Sequence, residues 1–506
     1  MRAGHGPPRA ATLALLGWAA LALACGPGGE PLPGGRRAAT GPLVVHPENP
    51  RYFADAEGRP VYLTGSHTWA NLVDSGWRNP PEAFDYPGYL DALERYNHNC
   101  FRLWAWEQAS GSAETPESYW FRPLPFLRTG PGTARDGLPR FDLERLDERY
   151  FQRLRSRVQE AQRRGFYVIV MLFNGWSIES KGRDTGNPWP GHPFHRDNNV
   201  NGIDADLDGD GEGRELHTLA YPAATRIQEA YLRRVVTVLN GLDNVLWEVS
   251  NESHAGSLAW QRHMAAAVRR LEATLPRQHP VGISATYPDG GDDALWESPV
   301  DWVAPSGGGR GGGLRSPAVA DGRKVLLADS DHLCGVCGDP GWPWRALTRG
   351  QNPLLMDPWE PRVGVGTPPG FRPHNARWER MRRALGQALH YANRIDLAAL
   401  EPRPELCSSG YCLGPREGPV RELLAYLPEG GEISVDLSGS PGSYAVEWFH
   451  PAAGARRDGE AVGGGAAAEL EAPCDWTVPG LSRLEWRDFL GNPCGEAVLY
   501  LRRSGT

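Results

Sequence analysis

Two hydrophobic rhythms divide this chain. From about residue 60 to residue 395, short apolar runs alternate with stretches whose apolar residues recur every three or four positions. The runs are Pro60–Thr64, Cys100–Trp106, Tyr167–Phe173, Asn244–Val249, Pro280–Ser284, Val300–Ala304, Lys324–Asp329 and Asn352–Asp357. Each has the length and bulk of a strand buried on both faces, as in a parallel sheet. The intervening periodicity predicts helices over Tyr86–Asn97, Leu143–Arg164, Thr225–Leu239, Trp260–Thr274 and Trp378–Ile395, with Gly165 stopping the second. Between Pro280 and Lys324 little helix is visible. Eight strands with helices between most of them is the arithmetic of a (β/α)8 barrel, here over residues 43–400. Leu43–Val45 supplies a further strand before the turn at Asp55–Gly58.

After Arg416 the rhythm becomes alternation. Glu432–Leu437, Ser443–Phe449 and Ala497–Leu501 are strand patterns separated by Gly, Pro and Asp turns. They predict a small antiparallel β-sandwich over residues 416–506. The expected fold is therefore α/β: a TIM barrel followed by a β-sandwich.

The first 24 residues have the form of an export signal: Arg2 and Arg9, an apolar stretch from Ala10 to Ala24, and the small-x-small site Ala22-Leu23-Ala24. Cys25 follows at once. The chain is thus either an envelope lipoprotein lipidated at Cys25 or, because Ala22 stands where that motif prefers Leu, an ordinarily cleaved secreted protein. Residues 25–42 are a Gly/Pro-rich tether, and no later segment is apolar enough to cross a membrane. A net charge of −8 leaves no basic surface for nucleic acid. A monomer is expected, with membrane contact only through the N-terminal anchor. Arg supplies nearly all the positive charge; Lys181 and Lys324 are the only lysines, which reads as base composition rather than function.

Export permits disulfides. Cys407 with Cys412 and Cys474 with Cys494 are natural pairs by proximity, Cys334 with Cys337 is a third, and Cys100 is a buried free thiol inside a strand. A zinc site at Cys334 and Cys337 lacks two further ligands at suitable spacing.

The chemistry collects at the ends of the barrel runs, where (β/α)8 active sites form. Read together, those ends are His67 and Trp69; Arg102, Trp104 and Glu107; Asn174 and Trp176; Glu248, Asn251 and Glu252; Asp329, Asp331 and His332; Asp357 and Trp359. Sugar cleavage needs such a mixture. Two carboxyls must flank the scissile bond, aromatic faces cover the apolar side of a ring, and Asn, Arg and His bind hydroxyls. Trp69, Trp104, Trp176 and Trp359 are candidate platforms, whereas Trp247 and Trp302 belong to the core. His67 alone reads equally as a structural histidine. No HExxH, Gly-x-Ser-x-Gly, P-loop or dinucleotide fingerprint occurs in a supporting context.

The run Trp247-Glu-Val-Ser-Asn-Glu252 resembles the strand-four motif of the retaining (β/α)8 glycoside hydrolases, the clan A enzymes that include bacterial cellulases and mannanases. Ser253 stands where Pro is frequent in that motif, and Arg102 matches a strand-two arginine of the clan. Leu63–Trp69, Asp329–His332 and Asn352–Pro358 bring the chain closest to uncharacterised exported bacterial barrel proteins of glycoside hydrolase type. Several of these end in a sandwich of collagen-binding type, which the region after Arg416 resembles. The resemblance covers about residues 44–500. It implies that Glu252 is the general acid/base and that no cofactor takes part in catalysis. The clan's nucleophile is a Glu ending strand seven; here that end reads Asp329-Ser330-Asp331. Asp is one methylene shorter, so the second carboxylate serves either as an unusual nucleophile or as the base for an inverting water. Asp329 aligns best with the clan's position, and Asp331 shares its side if the strand continues. Both can also be read as caps that orient His332.

The loop Asp204-Ala-Asp206-Leu-Asp208-Gly209-Asp210, with Glu215 at the twelfth position, has the ligand spacing of a Ca²⁺ loop without flanking helices; otherwise it is a solvated acidic loop. The sequence thus predicts an exported glycoside hydrolase acting on a poly- or oligosaccharide. Its rival is a barrel without catalysis that binds carbohydrate or matrix at the cell surface.

Overall fold

The computed structural model describes residues 38–308, 312–359, 376–476 and 495–505. The expected export segment, Cys25 and Cys494 lie outside them. Eight parallel strands form one sheet, in chain order Gly65–His67, Cys100–Leu103, Tyr167–Asn174, Val245–Asn251, Val281–Ser284, Trp302–Ala304, Val325–Asp329 and Asn352–Met356. From the second to the eighth each pairs with its sequence neighbour, and the eighth also pairs with the first, Leu354 opposite Gly65. Strands one and two meet more loosely. The amides of Asn99 and Cys100 donate to the carbonyl of Thr64 at 3.0 and 3.2 Å. A Cβ on Gly65 would lie 2.1 Å from the carbonyl oxygen of Cys100, so only glycine lets the barrel close there.

The first barrel strand is Gly65–His67, not Pro60–Thr64. Pro60–Val61 instead pairs antiparallel with Phe53–Ala54, which pairs with Val44–Val45. This small sheet plugs the N-terminal end of the barrel: Leu43, Phe53, Val61 and Leu63 pack against Tyr167, Leu246, Trp302 and Leu327. Trp247 and Trp302 are core, as expected, and Cys100 is a buried thiol.

The helix expected from Leu143 begins later. Pro139–Leu146 is a strand that buries Phe141 and Leu143 at alternate positions. The helix runs Glu148–Arg163, capped by the Asp147 carboxylate, which accepts from the Arg149 amide at 3.0 Å. It buries Tyr150, Phe151, Leu154, Val158 and Ala161, the spacing of one helical face. Helices Tyr86–Arg95, Pro222–Leu239, Leu258–Glu272 and Ala376–Ala392 cover the rest of the barrel. Between strands five and seven the helices among the described residues are the four-residue Asp293–Trp296 and Gly312–Arg315.

The C-terminal part is a six-stranded antiparallel sheet facing the two-stranded ribbon Glu432–Asp436/Ala467–Glu471. It begins before Arg416, because Leu400–Pro402 and Cys412–Pro415 pair into it ahead of Glu422–Leu427. One face of that last strand, Leu423 and Ala425, fills the sandwich with Val446, Trp448 and Leu499. The other, Leu424 and Tyr426, packs with Phe449 and Val498 against Trp344, Leu389 and Tyr391 of the barrel. Burial on both faces joins the two parts into one core.

Cys334 and Cys337 are disulfide-bonded. Cys407 and Cys412, the expected pair, lie buried side by side in the C-terminal part. Cys474 is disulfide-bonded.

Candidate active site

Parallel strands three, four and seven deliver their last residues to the C-terminal rim, and Arg102 from strand two joins them underneath. Its guanidinium has five N–H groups and uses all of them. Nε and Nη2 grip Glu248 at 2.9 and 2.7 Å, Nη2 also donates to Oδ1 of Asn251 at 2.8 Å, and Nη1 donates to Oδ2 of both Asp329 and Asp331 at 3.0 Å. Such a buried cation repays its desolvation only through this many charged partners.

The sequence-predicted residues separate into two tiers. His67, Arg102, Trp104, Asn174, Glu248, Asn251, Asp329 and Asp357 are at most 2% exposed. Asp357 is engaged by Arg382 through two bonds of 2.6 and 2.7 Å, tying strand eight to the last barrel helix. Asn174 holds the carbonyl of Ala105 at 3.0 Å and accepts from the Trp176 amide at 3.1 Å. Trp104 is no platform: its indole donates to Nδ1 of His67 at 2.8 Å, and its ring is enclosed by Trp106 and Trp69. These eight form the floor and frame of the site.

The upper tier is Glu252, Asp331 and His332, still 5–9% exposed, with Trp69, Glu107, Trp176 and Trp359 half-buried around them. Glu252 ends strand four in a left-handed conformation, φ 44°, unusual for a residue with a Cβ. Its Oε2 accepts from the Trp176 indole at 2.6 Å, and its Oε1 lies 3.4 Å from Nδ1 of His332. Gly175 must be glycine, since a Cβ there would lie 2.3 Å from the Glu252 carbonyl oxygen. Trp176 stacks on Tyr287 with centroids 5.6 Å apart and planes 17° apart, making an aromatic wall beside the carboxylate. Sequence reasoning missed Tyr287, which comes from the loop after strand five.

Strand seven ends at Asp329, and the chain turns into the short helix Ser330–Cys334. The alternation that would set Asp331 beside Asp329 therefore does not apply. Asp329 caps that helix by accepting from the Asp331 amide at 3.0 Å. Its other contacts are Nε2 of His67 at 2.9 Å and Arg102 at 3.0 Å, so both oxygens are committed. Burial pushes this carboxyl up, but His67 and Arg102 more than reverse that and hold it well below the usual range. Asp331 differs. Burial raises it, the neighbouring Glu252 raises it further, and the opposing pull of His332 and Arg102 leaves it at about 7. His332 loses charge to burial, yet contact with Glu252 and the nearness of Asp331 carry it to about 9. Its Nε2 is buried without a hydrogen-bond partner among the described residues.

Ser253, where the clan's motif favours Pro, bonds Ser250 at 2.6 Å and Nδ1 of His217 at 2.8 Å, while Nε2 of His217 lies 3.3 Å from Glu107. Glu107 also accepts from the Asn174 amide at 2.8 Å. This chain braces the end of strand four from outside the barrel.

Away from the rim, Asp206, Asp208 and Asp210 bring carboxylate oxygens together. The amides of Gly209 and Gly211 donate to Asp206 at 2.8 and 3.0 Å, so Asp206 rather than Asp204 opens the turn. Glu215 instead accepts from the Leu207 amide at 3.2 Å, and Asp204 lies 3.7 Å from Arg196.

Residues 115–300 match the model of a domain of unknown function, DUF6298. No curated protein matches the sequence. Among solved structures, one described simply as a glycoside hydrolase superposes with a TM-score of 0.56 at 12% identity, covering 92% of this chain and 98% of its own. A family 5 glycoside hydrolase from Bacteroides vulgatus ATCC 8482 gives 0.54 at 12% identity, covering 92% and 94%. Taken with the eight-stranded barrel and the sheets behind it, these matches show that the chain has the fold of clan A glycoside hydrolases of the family 5 type.

Proposed function

We propose that this protein is an exported glycoside hydrolase that cleaves O-glycosidic bonds of a poly- or oligosaccharide. Glu252 is its general acid/base and Asp331 the second carboxylate. One observation carries the reading: the carboxyl following strand four and the one in the helix after strand seven meet at the C-terminal rim around His332, which lies 3.4 Å from Glu252 and adjoins Asp331 in the chain, and the nearness of Glu252 raises Asp331. A glycosidase needs two such carboxyls flanking one bond, sharing the proton that passes to the leaving oxygen. We assign the second role to Asp331 in place of Asp329, because both oxygens of Asp329 are spent on His67, Arg102 and the helix cap.

In this mechanism Glu252 protonates the leaving oxygen while Asp331 attacks the anomeric carbon or activates water from the opposite face. Arg102 holds Asp331 by its Oδ2, and the Trp176–Tyr287 wall covers the apolar face of a sugar ring. Nε2 of His332 is available to a hydroxyl. The chemistry calls for no cofactor. Asp206, Asp208 and Asp210 are read as holding a structural Ca²⁺, and residues 1–24 as the export signal, with Cys25 as the lipid attachment point.

A panel of aryl glycosides tests this. Wild type should hydrolyse at least one, Glu252→Gln and Asp331→Asn should lose about 10³-fold or more in kcat/KM, and calorimetry should show sugar binding retained. A wild type that binds sugars yet hydrolyses none would instead be a surface carbohydrate-binding protein.

A further inference from the structure

Lys181 is one of two lysines in the chain, and its side chain is completely buried. Its ammonium has three hydrogens and three acceptors: Oε1 of Glu179 at 2.6 Å, the carbonyl oxygen of Glu252 at 2.7 Å and that of Tyr287 at 3.0 Å. Loops following strands three, four and five therefore meet at one nitrogen. Lys181 also adopts a left-handed backbone, φ 58°, which turns the side chain's own segment beneath the rim. Glu252 has the same unusual backbone, and a left-handed residue with a Cβ is strained unless its surroundings fix it.

We propose that Lys181 is a positioning residue, which holds Glu252 and the Trp176–Tyr287 wall in their working arrangement. The inference rests on reading Glu252 as the acid/base. The ammonium pins the carbonyl of Glu252, Gly175 packs against that same carbonyl, and the indole of Trp176 fixes the carboxylate. Tyr287, clamped by its own carbonyl, stacks on Trp176 and so steadies the indole. Glu179 supplies the counter-charge that makes a buried ammonium tolerable. An arginine is too large and planar to reach three acceptors at one point, which accounts for a lysine in a chain that otherwise uses arginine.

The test is Lys181→Met, with Lys181→Met/Glu179→Gln as the companion that leaves no unpaired buried carboxylate if the single variant does not fold. Dinitrophenyl glycosides, which leave without a proton, should be hydrolysed nearly as well as by wild type. Phenyl and alkyl glycosides, which need the acid, should lose about 100-fold in kcat with little change in KM, as expected for a displaced catalytic group. A crystal structure of the variant should show Glu252 out of the left-handed region and its bond to Trp176 broken. Wild-type rates on both substrate sets, or Glu252 unmoved in that crystal, would overturn the proposal. Glu252→Gln, run in parallel, separates the two readings. Full activity there removes Glu252 from catalysis, whereas a dead Glu252→Gln beside a fully active folded Lys181 variant removes only Lys181.

Discussion

The indole nitrogen of Trp104 lies 2.8 Å from Nδ1 of His67. An indole can only donate, so Nδ1 accepts, and neutral His67 carries its proton on Nε2, facing Asp329. His67 therefore holds Asp329 by a hydrogen bond, and the cation opposing that carboxylate is Arg102. Burial, which disfavours the imidazolium, agrees with this tautomer. Trp104→Phe keeps an aromatic side chain, though a smaller one, and removes the donor. It should cost about 1–3 kcal/mol, the usual penalty for one buried unsatisfied nitrogen. Thermal unfolding measures it, and an unchanged melting temperature would mean that the tautomer is set by something else.

Asp329 and Asp331 should fail in different ways. Asp329→Ala removes a helix cap and a partner of a buried arginine, so its first effect should be a stability loss of about 3–5 kcal/mol. Asp331→Ala should remain folded and lose turnover. If Asp331 is a nucleophile, azide should rescue that variant and give a glycosyl azide of inverted configuration; if it is a base, wild-type hydrolysis should itself invert the anomeric centre. A folded, inactive Asp329→Ala beside an active Asp331→Ala would return the role to Asp329.

The architecture was legible because buried parallel strands announce themselves as apolar runs, and seven of the eight were visible; the first, Gly65–His67, is not apolar, so the run Pro60–Thr64 just before it stands out in its place. Their ends named Glu252, Arg102 and Trp176 for the same reason: strand direction fixes which end meets the rim. What the pattern does not carry is tier. Glu248 and Asp331 look alike as acids at strand ends, yet one is locked under Arg102 and the other faces the opening. The alternation rule also failed at Asp331, because the strand stops one residue before Ser330 and a helix starts. Lys181 and Tyr287 lie in loops whose courses are set by tertiary contacts, and rarity alone did not mark the lysine.

The raised carboxyl gives a pH signature. Asp331 must be ionised to act as nucleophile or base, and Glu252, His332, Arg102 and Asp329 together leave it at about 7. Because Glu252 must give a proton while Asp331 acts ionised, the pair has to hold one proton between them, and kcat/KM should fall as pH rises through neutrality and that proton is lost. Were Asp329 the working group, held well below the usual range, the titration of Asp331 would leave no such fall near pH ~7. Stability should follow the same proton with a definite sign. The folded state keeps a proton that the unfolded chain releases above about pH 4, so the Asp331 contribution is greatest at low pH and fades as pH rises towards 7. Asp331→Asn should consequently gain on wild type in melting temperature between pH ~5 and ~8. A constant difference across that window would contradict the raised value.

The acidic loop makes a narrower prediction than its sequence did. Asp206 opens the turn, and Asp208 and Asp210 converge with it, while Glu215 is occupied by the Leu207 amide. If this loop binds Ca²⁺, chelation should lower the melting temperature, and Asp206→Ala should abolish that response. Glu215→Gln should leave it largely intact. Indifference of wild type to chelator would make this a solvated acidic turn.

Asp331 and His332 sit in a helix of only five residues, Ser330–Cys334, far too short to be stable by itself. Asp329 caps its start and the Cys334–Cys337 bond closes its end, so these two candidate-site side chains are held between a hydrogen bond and a covalent clamp. Cys334 is exposed and open to thiol reagents, whereas Leu333 between the clamp and His332 is buried against Trp342 and Met381. Closing so small a loop restricts the unfolded chain little, so the bond should contribute modestly to global stability. Its effect should appear in rate. A Cys334→Ser/Cys337→Ser double variant should lose about 10-fold in kcat/KM with a melting temperature close to wild type, since slight misplacement of reacting groups is expensive. Mild reduction of wild type should reproduce that loss, and the double variant should be indifferent to reductant, which separates this bond from the one at Cys474. Full activity in the double variant would show that the cap and the buried Leu333 hold Asp331 without help from the disulfide.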